Sequence, residues 1–199
     1  MKFLSKINRG LILMSVVLIA VAIYLMAQSM SQAEAKPKIK DVCQQYIDTA
    51  IIYKQLPEKY KKENPEIPQA ELDKYIDDMT KALKAFYTPN EQTYKYEIER
   101  YKANLESQAK GEGVVFSYKK DIAEYKNFIF EGNTVTVTIL TNSVLDGPNI
   151  SLPGTPRESI ATQTTDTITL QKNAGEWKII YADLPEPMKQ GAIESQMYK

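Results

Sequence analysis

Residues 11–27, LILMSVVLIAVAIYLMA, constrain this chain more than any other stretch. The run is 17 residues long and apolar apart from Ser15. A signal-peptide core is shorter, about 7–15 residues. A membrane-spanning helix needs about 17–25. At about 1.5 Å per residue the run covers about 26 Å, enough for a thin bilayer. The expectation is an uncleaved anchor. Ala33-Glu34-Ala35 offers a small-residue cleavage site, so a signal peptide followed by secretion is the alternative. Either way the remainder is exported. Lys2, Lys6 and Arg9 lie before the run, and no acidic residue occurs before Glu34. That asymmetry places the N-terminus in the cytoplasm and the rest of the chain outside the cell membrane. No Cys ends the run, which argues against a bacterial lipoprotein.

The formal net charge of zero hides this basic head. Without its three cations the chain carries 22 basic and 25 acidic residues, a formal −3. A mildly acidic domain lacks the electrostatic footprint of a nucleic-acid binder. There is no His, which removes the commonest general base and metal ligand. The single Cys43 excludes an intrachain disulfide, and no zinc site of the His/Cys kind can be assembled. No cofactor, phosphate-loop or nucleophile-elbow motif is present.

Five segments are expected: a cytoplasmic head (1–10), the anchor (11–27), a polar linker containing Pro37 (28–40), an extracytoplasmic domain (41–185) and a tail (186–199). Within the domain Asp41 is the expected N-cap of a first helix. Val42, Cys43, Tyr46, Ile47, Ala50 and Ile51 form its apolar stripe, so Cys43 is expected to be a buried small hydrophobe. A proline-broken loop (56–68) precedes a second helix over 69–87. Its Leu72, Ile76, Met79, Leu83 and Phe86 recur at helical spacing, and Asp73, Asp77 and Asp78 mark a solvated face. Thr88-Pro89-Asn90-Glu91 has the pattern of a capping box, and Tyr94, Ile98, Tyr101 and Leu105 form a third stripe. The second and third helices are expected to form an αα-hairpin.

From Val114 the period becomes two. Residues 114–118, 124–130 and 134–144 read as strands, with a Gly132-Asn133 turn. Val135, Val137 and Ile139 alternate with Thr134, Thr136 and Thr138, giving one apolar and one threonine-rich face. Residues 146–158 hold three prolines and form a long loop, with an Asn149-Ile150-Ser151 sequon. Residues 161–184 then form a hairpin turning at Asn173-Ala174-Gly175 and holding the only Trp, Trp177. The fold class is therefore α+β, with N-terminal helices packed on an antiparallel sheet behind one transmembrane helix.

Gly132-Asn133-Thr134-Val135-Thr136-Val137, Thr167-Ile168-Thr169-Leu170-Gln171-Lys172 and Gly175-Glu176-Trp177-Lys178-Ile179 carry a family likeness. Over residues 41–184 the chain resembles the nuclear-transport-factor-two-like (SnoaL-like) superfamily. Its final strand commonly opens on a Gly-x-Trp-Lys-Ile-like sequence after a turn. The resemblance implies a cone, with a curved sheet wrapped over N-terminal helices. Several membrane-anchored exported members are assembly parts of envelope machines. One is the inner-membrane assembly factor of type IV secretion and conjugation systems, whose layout this chain shares. The functional expectation is a single-pass, membrane-anchored binding or scaffold domain with protein partners or self-association. The alternative is a small-molecule pocket protein or weak enzyme of the SnoaL-like kind.

For that alternative, alternation places Asp166 on the face of Ile168 and Leu170, and Trp177, Ile179, Tyr181 and Asp183 together on the next strand. Asp166, Tyr181, Asp183 and Trp177 are thus the candidate ligand-binding constellation. A carboxylate on an apolar face has a raised pKa and is a candidate acid or base. Enzymes of the superfamily usually pair such an Asp with a His or with several acids. The absence of His counts against catalysis, and no catalytic residue is assigned.

Overall fold

The structure, a computed structural model, describes residues 9–147 and 158–185. The expected head, the Asn149 sequon, most of the 146–158 loop and the 186–199 tail lie outside the described residues. The chain divides into two compact units, residues 1–40 and 41–199.

Helix α1 covers Arg9–Ile52 and contains Pro37. Residues 28–40 are thus helical, and Asp41 is interior to a helix rather than an N-cap. Pro37 lies among good helix formers, and it removes one backbone donor without ending the element. Among the described residues one N-terminal helix is long and apolar enough to cross a membrane. Its most apolar 18-residue window has a mean hydropathy of 2.1 and no buried residue. By length and composition it is a membrane anchor or a signal sequence.

The second unit is α+β. After the end of α1 come a short 3-10 turn at Glu58–Tyr60, helix α2 (Gln69–Lys84) and helix α3 (Glu91–Ala109). Four strands come next: β1 (Ser117–Glu131), β2 (Thr134–Gly147), β3 (Glu158–Asn173) and β4 (Glu176–Asp183). They form one antiparallel sheet in the order β1-β2-β3-β4. Helices α2 and α3 pack against each other.

Two helix ends differ from the sequence expectation. Asn90, not Thr88, caps α3, its side chain accepting from Gln92 N at 3.1 Å. Thr88 is drawn away to the sheet, where its amide donates to Ile179 O at 3.1 Å. For the same reason α2 stops at Lys84, because Phe86 and Tyr87 run alongside β4. Tertiary pairing overrides the local capping pattern there.

Strand β1 is continuous across residues expected to be interrupted. Two bulges, at Ala123 and Lys126, each place one extra residue opposite β2. The two insertions cancel in parity. Tyr118, Lys120 and Ile122 share the inward face with Tyr125, Phe128 and Phe130. On β2 the alternation is strict. Val135, Val137, Ile139, Thr141, Ser143 and Leu145 are buried, and Thr134, Thr136 and Thr138 face outward. The β3–β4 hairpin turns tightly at Ala174-Gly175, both with positive φ (48° and 91°). Glycine adopts that region freely, and alanine does so at a cost.

The core is the inner face of the sheet with the helical stripes. Cys43, Tyr46, Ile47 and Ala50 of α1 are fully buried, as are Met79 and Leu83 of α2 and Leu105 of α3. From the sheet Val135, Val137, Ile139, Ile168, Leu170 and Ile179 join them. Burial pushes the Cys43 thiol up to about 12, so it is a small hydrophobe and not a reactive thiol.

Candidate functional site

Asp166 faces inward, as alternation requires, and is wholly buried. Strand β3 places it beside Ile168 and opposite Ile139 of β2. Its partner is Lys120 of β1, whose Nζ lies 2.7 Å from Oδ1, with both side chains fully inaccessible. Thr141 Oγ1 donates to Oδ2 at 3.3 Å. Lys120 Nζ also donates to Pro185 O at 3.0 Å. Burial raises the Asp166 carboxyl above its ordinary value, and the Lys120 ammonium and its hydrogen bond oppose that rise.

A second buried lysine lies close by. Lys54, two residues past the end of α1, donates to Leu184 O at 3.2 Å. Its ammonium lies 5.8 Å from the Tyr101 ring centroid and 5.6 Å from that of Tyr118, within cation–π range. Successive carbonyls after β4 are therefore held by ammonium groups from β1 and from the segment after α1. The Gln108 amide secures the same corner, donating to Lys54 O at 2.9 Å and accepting from Val115 N at 3.1 Å.

A third buried charge, Glu97 of α3, belongs to a separate string. Tyr46 OH donates to Glu97 Oε1 at 2.5 Å, and the Tyr46 and Tyr87 hydroxyls are 2.9 Å apart. The single Tyr46 proton goes to the carboxylate, so Tyr87 is the donor to Tyr46. Burial raises the Glu97 carboxyl above its ordinary range, against the lowering effect of the Tyr46 hydrogen bond.

The four candidate residues do not converge. Trp177 is buried on the inner face with Ile179. Then a bulge intervenes: Leu170 pairs with Ile179, but Thr169 pairs with Tyr181, leaving Ile180 extra. The insertion inverts the parity of the residues beyond it. Tyr181 is 54% exposed, and Asp183 is exposed on the outer face opposite Thr167. The expected grouping of Asp166 with Tyr181 and Asp183 fails because strict alternation does not survive Ile180.

Lys120 and Lys54 were not anticipated from sequence, although each left a signal. Lys120 lies two residues from both Tyr118 and Ile122, on an apolar row. Lys54 continues the Cys43, Ile47, Ala50 stripe by four residues. Among the described residues no group of three or more His, Cys, Asp or Glu is placed to hold a metal. Chemically, Asp166 is engaged and sealed. A general base must come within hydrogen-bond reach of the proton it removes, and this carboxylate offers no accessible surface.

No family model and no curated protein matches the chain. Among solved structures it is similar to an NTF-2 like protein of unknown function from Shewanella oneidensis MR-1, at 16% identity. That match covers 57% of this chain and 93% of the other, with a TM-score of 0.31. At those values the likeness carries no argument about the site.

Proposed function

We propose that this chain is a single-pass membrane protein, N-terminus in the cytoplasm, whose extracytoplasmic α+β domain is a binding or scaffold module. Its partners are other envelope proteins or further copies of itself, as in the assembly components of type IV secretion or conjugation systems. One observation carries the reading. The carboxylate that sequence placed on an apolar face, Asp166, is locked to Lys120 with no accessible surface. That takes Asp166 out of the groups available for chemistry and supports a reading in which the domain acts through its surface. The basic head ahead of an apolar helix supports the orientation. A small-molecule site at Asp166 is disfavoured on the same ground.

Photocrosslinkers placed at exposed positions of the full-length protein in intact membranes test the proposal. Discrete, position-dependent adducts are expected. Recovery of monomer alone from every position would overturn it.

A further inference from the structure

Between the segment after α1 and the first turns of α2 lies a cleft of about 270 Å³, open to solvent. Pro57, Tyr60, Ile67, Leu72 and Tyr75 line it. Its walls are fixed by bonds made elsewhere. Tyr75 OH is within 3.2 Å of both Ile52 O and Gln55 O, where it caps the end of α1. Its ring lies 5.2 Å from that of Tyr53. Tyr60 OH donates to Glu71 at 2.8 Å, and Lys59 pairs with the same carboxylate at 2.5 Å. The polar tips are thus satisfied, and what remains for a ligand is ring and alkyl surface. Such a wall needs no rearrangement to bind, which lowers the ordering cost of association.

Two further charges stand at the rim, each also near an opposite charge of its own helix, Lys74 near Glu71 and Asp78 near Lys81. Lys74 and Asp78 line the cleft, and neither has an ion-pair partner among the described residues. They are four residues apart on one helix, about 6 Å along its axis. Alternate residues of an extended chain are about 6.6 Å apart. The volume is just below the range of about 300–1,000 Å³ usual for small-molecule sites. Aromatic walls with a proline are the kind of groove that takes proline-bearing extended peptides.

We propose that this cleft binds an extended peptide of a partner protein. Its central residue is a proline or branched apolar side chain, flanked by an acid that meets Lys74 and a base that meets Asp78. The proposal rests on the binding-module reading and names where that module takes its partner.

The test uses the full-length protein in lipid nanodiscs and fluorescein-labelled decapeptides with Glu-Pro-Lys, Glu-Pro-Glu, Lys-Pro-Lys or Gly-Gly-Gly cores. Saturable anisotropy change is expected for Glu-Pro-Lys and none for Gly-Gly-Gly. Lys74→Glu, on an exposed position, should weaken Glu-Pro-Lys at least tenfold and improve Lys-Pro-Lys. Ile67→Asp should weaken every proline-containing core that binds. No saturable binding by any core, or an affinity unmoved by both substitutions, overturns the proposal. A photocrosslinker at Ala70, one turn before Lys74, separates the two readings. Adducts from Tyr181 but none from Ala70 reject the cleft and keep the scaffold, whereas none from either position rejects both.

Discussion

Among the described residues two carboxylates are buried, and they are stabilised by different means. Asp166 lies against an ammonium ion. Glu97 accepts from a phenol, itself backed by a second phenol, and Arg100 and Lys54 act on it without a direct hydrogen bond. Both have carboxyls held above the ordinary range by burial. The difference lies in what removal of a partner leaves behind. Without Lys120, Asp166 becomes a buried charge with hydroxyls beside it and only the more distant Lys54 to offset it. Without Tyr46, Glu97 keeps the option of holding its proton.

The largest expected effect comes from that contrast. Lys120→Met should cost about 3–5 kcal/mol in urea denaturation, the usual result of stranding one member of a buried pair. Lys120→Met with Asp166→Leu should recover most of the loss, because desolvation of both ions offsets their attraction. A double variant no better than the single one would mean that the pair contributes through geometry that apolar side chains do not reproduce. Tyr46→Phe should cost less, about 1–3 kcal/mol, the range for leaving hydrogen-bonding groups unmatched. A larger loss for Tyr46→Phe than for Lys120→Met would invert the comparison.

The legible and illegible parts of the sequence divide at the same place. Period-two alternation on β2 identified the apolar row from Val135 to Ile139, and helical spacing identified the stripes of all three helices. Asp166 was legible because it interrupts a strict alternation. Lys120 was not, because Asp121 and two bulges obscure the period of β1. Tyr181 and Asp183 were misplaced by one unsignalled extra residue, Ile180. Cross-strand register is non-local information, and one chain read in isolation does not carry it.

The next effect is on pH dependence. The ordinary values are 4.5 for Glu97 and 3.8 for Asp166, and both are raised on folding. Between the ordinary and the raised value the folded state binds more protons than the unfolded chain. Stability is therefore fully present below the ordinary value and falls as pH rises through the raised one. Glu97→Gln keeps an acceptor for Tyr46 OH and removes that titration. Its denaturation midpoint should vary less than wild type from pH 4.5 upward, and it should exceed wild type at neutral pH. Parallel pH profiles for the two proteins would count against a buried, raised Glu97.

The smallest effect belongs to the surface. Asp77 pairs with Lys81 at 2.5 Å, one turn apart on α2, with both side chains largely exposed. Solvent and salt screen such a pair. Asp77→Ala should leave the thermal midpoint within experimental scatter. A clear loss would show that α2 depends on its charges more than on Leu72, Met79 and Leu83.

The bulge at Ile180 makes the length of β4 a determinant of identity, not only of size. Deleting that one residue would exchange the two sides of everything after it. Tyr181 and Asp183 would turn towards the apolar interior. The carbonyls of Leu184 and Pro185 would shift away from Lys54 and Lys120. A one-codon deletion in an exposed, tolerant-looking strand end would thus uncouple the last turn of the first helix from the end of the sheet. Insertions and deletions should accordingly be excluded between Ile179 and Pro185, while point substitutions at Tyr181 pass freely.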